Sequence, residues 1–302
     1  YGKTKRPTAE MLKDIDVMVY DIQDIGSRSY TFISSMGKVM DACGEYGKEV
    51  VMLDRPNPLG GNRVEGPLVS EGFFSFISQF AIPYIYGLTC GELANLLNEE
   101  GHIKHKCKVT VVEMKNWKRD MSFENTGLPW VLTSPAIPTS DSPYFYPLSG
   151  IVGELNALSI GVGYTLPFQT FAAPWINADS LAMNMNSLRL EGIRFRPIVY
   201  KPFSAIYANK VVGGVQVYVT DKAKARLTEV QFHVIAVLQK MYPDKDLFTI
   251  GNLKTIKTID NVCGNADVRK ALQEGNIDKA LSLWRKDEES FIKLSKKYHL
   301  YK

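Results

Sequence analysis

The 302-residue sequence holds no apolar run near the ~18 residues that a membrane-spanning helix needs, which argues against a transmembrane segment. Its four cysteines (Cys43, Cys90, Cys107, Cys263) form no CxxC pair and have no histidine at ligand spacing, so no metal site is expected. Cys43 lies on a helical pattern and Cys107 leads a strand pattern, positions that suit small buried hydrophobes. The four histidines (His102, His105, His233, His299) stand outside every polar motif, which leaves acid–base chemistry to carboxylates and tyrosine. A formal net charge of +4 is too small for a nucleic-acid footprint. The C-terminal lysines (Lys286, Lys293, Lys296, Lys297) alternate with acids and apolar residues, as on a solvated helix face. Gly161-Val162-Gly163 lacks a third glycine and no strand–helix–strand unit brackets it, so no nucleotide or other cofactor is expected. The chain shows no leader; it begins at Tyr1 rather than Met, so the absence says nothing of compartment.

What remains is a globular composition, 45% hydrophobic and 23% charged, long enough for two domains with a buried core. The first half alternates strand and helix patterns. Val17–Tyr20, Glu49–Asp54 and Lys108–Met114 read as strands. Pro7-Thr8 opens a short helix with Met11-Leu12 as its apolar face. Tyr30–Tyr46 and Thr89–Asn98 read as longer helices with apolar residues at i, i+3, i+4 spacing. Val50-Val51-Met52-Leu53 is a continuous apolar run, as in a parallel sheet buried on both faces. This order predicts an α/β fold: a Rossmann-like, mostly parallel sheet followed by a smaller α/β (α+β) domain. The boundary is placed near residue 178, giving domains 1–178 and 179–302. Residues 120–175, rich in Pro, Ser, Gly and aromatics, are too long for a passive connection, and one helix is expected near 150–159. Beyond it, helices are expected at 179–190, 229–241, 267–274 and 277–297, and strands at 193–200 and 214–220.

Two polar runs follow predicted strands directly. Asp21-Ile22-Gln23-Asp24-Ile25-Gly26-Ser27-Arg28-Ser29-Tyr30 offers Asp21, Gln23, Asp24, Arg28 and Tyr30 at a strand C-terminal end, where α/β sheets bind ligands. Asp54-Arg55-Pro56-Asn57 presents Asp54, Arg55 and Asn57 on a loop stiffened by proline and glycine; an Asp–Arg pair locking two loops would explain it structurally. Glu65 follows in Val64-Glu65-Gly66-Pro67. Thr89 and Glu92 have capping-box spacing, which explains both, although a helix N-terminus at a sheet edge also suits anions. Glu154 is the lone carboxylate between Asp141 and Asp179; burial there would raise its pKa toward a general acid's. Trp130, Tyr144, Tyr146, Tyr164, Phe168 and Trp175 suit stacking on sugar rings.

The runs "DVMVYDIQDIGSRSYTFISSM", "VVMLDRPNPLGG", "VEGP", "GLTCGELANLLNEEG" and "LPW…SPAIPT", with the closing "WRKDEESFIKLSKKYHLYK", resemble in order and spacing the exo-β-N-acetylmuramidase family called NamZ. The resemblance implies an active cleft between two α/β domains, hydrolysis of terminal β-linked N-acetylmuramic acid from peptidoglycan fragments in cell-wall recycling, and export to the envelope or periplasm. Carboxylates from Asp24, Glu65, Glu92 and Glu154 would supply acid, base or nucleophile. Asp21, Gln23, Arg28, Tyr30, Asp54, Arg55, Asn57, Tyr86 and Tyr164 would hold a small glycan. The chain departs from the family pattern at Tyr86 (a family His), Ala136 (Asn), Ile160 (Glu), Val162 (Arg), Leu166 (Arg) and Gln169 (Glu). It also starts after an earlier strand–helix segment of the family. Two functions therefore stand open: a hydrolase of altered specificity, or a glycan-binding or scaffold form without turnover.

Overall fold

The computed structural model describes residues 2, 4–250 and 253–302. The chain folds as helix α1 (Ala9–Leu12), strand β1 (Val17–Tyr20), α2 (Phe32–Glu45), β2 (Glu49–Leu53), α3 (Cys90–Glu99) and β3 (Val109–Val112). It continues through α4 (Ser142–Gly153), β4 (Thr170–Ala173), α5 (Ala178–Ser187), β5 (Ile193–Tyr200) and β6 (Val212–Val219). The helices α6 (Leu227–Met241), α7 (Leu247–Ile250), α8 (Leu253–Cys263), α9 (Asp267–Gln273), α10 (Ile277–Ser282) and α11 (Arg285–Ser295) complete it. Strands β1, β2 and β3 form a parallel sheet in that order, and β4, β6 and β5 an antiparallel one. The chain is thus a two-unit α/β protein, as its alternating pattern predicts.

The first sheet departs from the expected double burial. Met52 and Val50 are buried against α2 and α3, but Val17, Val19, Leu53 and Val112 are exposed. With helices packed on one face only, the apolar run Val50–Leu53 alternates between core and surface. Met11 is likewise exposed, leaving Leu12 as the anchor of α1.

The helix expected near 150–159 lies earlier. Asp141 precedes α4, Pro143 stands in its first turn and Pro147 in its interior. A proline inside a helix removes an amide and crowds the preceding turn, which masks the helix in the sequence pattern. Gln231 of α6 braces the interruption: its Nε2 donates to Pro147 O at 2.8 Å, and its Oε1 accepts from the Ile151 and Val152 amides at 3.0 Å each. The predicted helix at 277–297 is two helices, α10 and α11, with Trp284 fully buried between them. The single-turn α7 is too short to be read from the sequence, whereas α8 carries an apolar stripe of Ile256, Ile259, Val262 and Cys263 that the sequence reading did not pick out.

A division at residue 178 falls inside the second unit. β4 precedes it, yet pairs antiparallel with β6 through Thr170–Gln216 and Ala173–Gly213. α4 packs along α6 in the same core. The first sheet thus closes before α4. The C-terminus returns to it: Phe291 joins the first core, Tyr301 packs edge-on against Trp117 at 4.9 Å, and the Leu300 amide donates to Glu92.

Candidate active site

The polar run after β1 turns through Gly26, at φ +78°, a left-handed conformation that favours glycine. A Cβ there would also lie 2.4 Å from Asn57 Oδ1, so the two polar loops meet at this point. Ser27 bridges to Ile85, and the Arg28 amide donates to Tyr84 O at 2.8 Å. The segment 84–86 therefore runs across the run from 24 to 29, and its alternation sends Tyr84 and Tyr86 toward it.

Asp24 is buried in this corner. Its Oδ2 accepts from the Gly26 amide at 2.7 Å and from the Tyr86 hydroxyl; its Oδ1 has no hydrogen-bond partner. Burial pushes its pKa up to about 6, against the lowering effect of those donors. Asp24 lines a crevice with Gln23, Arg55, Pro56, Tyr86 and Thr89.

Glu154 follows α4 directly. It is half-buried, no hydrogen bond holds its carboxyl, and burial pushes it above the usual carboxylate range. Near both acids lies Tyr146. Its hydroxyl shares Ser29 Oγ with that of Tyr84, at 3.1 and 2.8 Å. Burial raises its pKa, and the charges of Glu154 and Asp24 act in the same direction, so the phenol is within electrostatic reach of both. Tyr30 packs edge-on against Tyr146 at 5.7 Å and donates to Thr133 Oγ1 at 2.8 Å.

The wall is apolar. Ile25, Ile137 and Phe168 form a buried cluster with Trp130, Ala136, Tyr146, Ile160 and Val162 packed on it. Ile160 reaches the end of α4, where a Cβ on Gly153 would lie 2.5 Å from Ile160 Cδ1.

Of the expected residues, Gln23, Asp24, Arg55, Asn57 and Tyr86 line one crevice, and Tyr30 and Glu154 lie near Tyr146. The others are held elsewhere. Arg28 is fully buried and spends its guanidinium on four carbonyls: Pro67 and Ile82 at 2.6 Å, Val262 at 2.8 Å and Cys263 at 3.0 Å. It ties the first sheet's loops to the C-terminal end of α8 and has no surface left for a sugar.

Asp54 is equally occupied, by Thr89 Oγ1, Tyr301 Oη and the Gly91 and Arg55 amides. Asn57 holds its own loop through the Leu59 amide and Leu88 O. Glu65 is buried on Arg63 at 2.5 Å and the Thr228 amide at 2.9 Å, joining the two units. Glu92 is fully buried: it closes the capping box with Thr89, pairs with Arg119 at 2.5 Å and accepts from the Leu300 amide.

Tyr164 stacks on Tyr200 at 4.4 Å over the second sheet. Asp21 faces outward, where its Oδ1 holds Arg55 Nε at 2.6 Å. Even the paired Gln23 serves the scaffold: its Nε2 donates to Asp24 O and Pro56 O.

Of the stacking candidates, Trp175 packs on Tyr242 and Tyr144 beneath Lys222, away from the cleft. Sequence reasoning did not single out Ser29 or Tyr84; the period-two Tyr84-Ile85-Tyr86 was the available signal for the second. Among the described residues, no group of three or more His, Cys, Asp or Glu could hold a metal, and no helix is long and apolar enough to cross a membrane.

The occupied role of Glu92 has a direct consequence. Glu92→Gln leaves Arg119 buried without its counter-ion, a loss of roughly 3 kcal/mol. Thermal unfolding is expected to show it, while turnover per folded molecule stays unchanged.

Fold and site define a two-unit α/β protein with two carboxyls, Asp24 and Glu154, raised by burial and both within electrostatic reach of Tyr146. Models of the exo-β-N-acetylmuramidase NamZ family match it throughout, the N-terminal domain over residues 1–141 and the C-terminal domain over 144–301. The chain belongs to this family. It is 40% identical over its full length to the peptidoglycan β-N-acetylmuramidase NamZ of Bacillus subtilis, spanning 71% of that protein. Two solved DUF1343-family structures from Bacteroides fragilis share the fold. One is 50% identical with a TM-score of 0.98, the other 27% identical with a TM-score of 0.80. The match covers 100% and 99% of this chain, and 79% of each of those chains.

Proposed function

We propose that this chain is a glycosidase that removes a terminal β-linked N-acetylmuramyl-type sugar from peptidoglycan fragments. The observation that supports it is the pair Asp24 and Glu154, two carboxyls raised by burial and both within electrostatic reach of Tyr146. Glycoside hydrolysis uses two carboxyls in unlike states: a protonated one that gives its proton to the leaving oxygen, and an ionised one that acts at the anomeric carbon or on a water. Glu154, unbonded and half-buried beside apolar side chains, suits the acid. Asp24, fixed through Oδ2 with Oδ1 free of partners, suits the carboxylate. Tyr146 and Tyr30 offer ring faces to a sugar, and Arg55 and Asp21 stand at the rim.

Export to the cell envelope or periplasm belongs to the same reading, since its substrates are wall fragments. Fractionation of the producing cells tests it.

The structural occupation of Glu65 and Glu92 favours a second reading, in which the cleft binds glycans without cleaving them. Incubation with purified muropeptides and mass spectrometry of the products separates the two. The glycosidase reading expects release of the terminal sugar. Binding by calorimetry with no released sugar contradicts it and supports the second.

A further inference from the structure

Tyr86 holds a place that a sugar ligand could not. Its side chain is 1% exposed, in one buried core with Tyr20, Leu88 and Cys90. The crevice that it lines beside Asp24 has a volume of about 10 Å³, room for a water and not for a sugar ring. Its hydroxyl is already spent, donated to Asp24 Oδ2. Any effect of Tyr86 on a substrate therefore passes through Asp24.

The backbone leaves that hydroxyl no freedom. Ile85 exchanges both hydrogen bonds with Glu65, at 2.8 and 3.0 Å, and bridges to Ser27 on the other side. Gly87 follows at φ +61°, where a Cβ would lie 2.6 Å from Arg63 O. The ring is thus fixed from both ends of its own segment. Asp24 is fixed in the same way, since Oδ2 also takes the Gly26 amide at 2.7 Å. Two donors on one oxygen stop the carboxyl from turning, and Oδ1 is left without a partner. The other groups around this corner are neutral at working pH. Burial raises the Cys90 thiol of α3 and the Tyr86 phenol well above their usual values, and Tyr146 of α4 is raised by burial too. Arg55 lines the crevice but pairs with Asp21 at 2.6 Å. The proton that comes and goes here is that of Asp24.

We propose that Tyr86 is a positioning residue for Asp24 and not a sugar ligand: its buried hydroxyl holds Oδ2, so that the carboxyl keeps one orientation and leaves Oδ1 for the reaction. This rests on the glycosidase reading of Asp24. A donor to the ionised carboxylate also favours that form against burial, which opposes it.

The test is Tyr86→Phe, which keeps the ring and its packing, assayed on a 4-nitrophenyl β-N-acetylmuramide across pH. Above the acidic limb, kcat is expected to fall by roughly ten-fold or more with KM unchanged. The limb itself should move from about 6 upward by roughly one pH unit or more, because the ionised form has lost a donor. A raised KM with the limb unmoved would make Tyr86 a sugar ligand. A lower unfolding temperature with kcat and limb unmoved would make it a packing residue. Either overturns the proposal. If wild type hydrolyses nothing, the glycosidase reading fails on its own, and carbon-13 titration of the Asp24 carboxyl, assigned with Asp24→Asn, decides: a midpoint higher in Tyr86→Phe than in wild type upholds the proposal, and an equal one overturns it. If Tyr86→Phe does not fold, wild type decides. Its Tyr86 hydroxyl proton should resonate downfield above pH 6 and move upfield as pH falls through that value; a signal that does not respond overturns the proposal.

Discussion

Asp24→Asn is expected to abolish most turnover while making the protein more stable at neutral pH. The two effects have one cause. Burial lifts the Asp24 carboxyl from the usual 3.8 to about 6, so the fold favours its protonated form. A raised carboxyl pKa contributes stability that is fully present below the unfolded value and is lost as pH rises through the folded value. Between about pH 4 and pH 6 wild type therefore surrenders on the order of 3 kcal/mol, the equivalent of the shift, and stays at that lower level above pH 6. Asparagine never ionises. Its carbonyl oxygen can accept from Tyr86 and the Gly26 amide as Oδ2 does, while its amide group stands where Oδ1 has no partner. The variant is expected to unfold at a higher temperature than wild type at pH 8, and at about the same temperature at pH 4. Its kcat is expected to drop by roughly 100- to 10,000-fold, the range for removal of an acid–base group. In wild type, kcat/KM should rise with pH through about 6 as Asp24 ionises, and that limb should vanish in the variant. Stability curves at the two pH values, together with the pH–rate profile, check each part. Equal destabilisation at both pH values would mean that Asp24 serves the scaffold alone.

Arg28→Ala is expected to be the most damaging single substitution in the first unit. Truncation leaves four buried carbonyls without a donor, each costing about 1–3 kcal/mol, and the loss should exceed roughly 4 kcal/mol. Two of them, Val262 and Cys263, end α8, so the substitution also withdraws a cation from a helix C-terminus. Arg28→Lys rescues only in part. The ammonium is a compact charge without the planar fork that spans Pro67 and Ile82 on one nitrogen and α8 on the other. Its own pKa would fall in a site where even the guanidinium is lowered to about 10 by burial. Denaturant unfolding should order the proteins wild type, Lys, Ala, with KM unchanged for whatever fraction folds. A raised KM with an unchanged unfolding midpoint would instead return Arg28 to the role of sugar ligand.

Arg28 also marks how far the sequence could be read. The polar run after β1 is conspicuous because polar residues at a strand's C-terminal end point to a ligand, and Asp24 lies there in a crevice. Arg28, four residues on, has the same local signature, yet its fate depends on carbonyls more than 230 positions away in α8. No local pattern carries that information. Glu92 shows the opposite case. Its capping-box spacing with Thr89 already explained it, and the structure adds only Arg119 and the returning C-terminus. Glu154 was visible as a lone acid in an apolar stretch, and burial gives it the raised pKa expected of it. The helix before it was misplaced because Pro147 breaks the amide pattern that Gln231 then repairs from another element. Strands β1, β2, β5 and β6 were legible to within two residues, since apolar alternation is local. The division between units was not, because β4 owes its place to β6, some forty residues further on.

The most direct test of the central claim is kcat/KM on a 4-nitrophenyl β-N-acetylmuramide for four variants measured together. Asp24→Asn and Glu154→Gln should each fall by at least roughly 100-fold with folding retained. Glu65→Gln and Glu92→Gln should unfold at lower temperature yet keep turnover per folded molecule near wild type. Full activity in Glu154→Gln, alongside loss of turnover in a well-folded Glu65→Gln or Glu92→Gln, would contradict the assignment of the site.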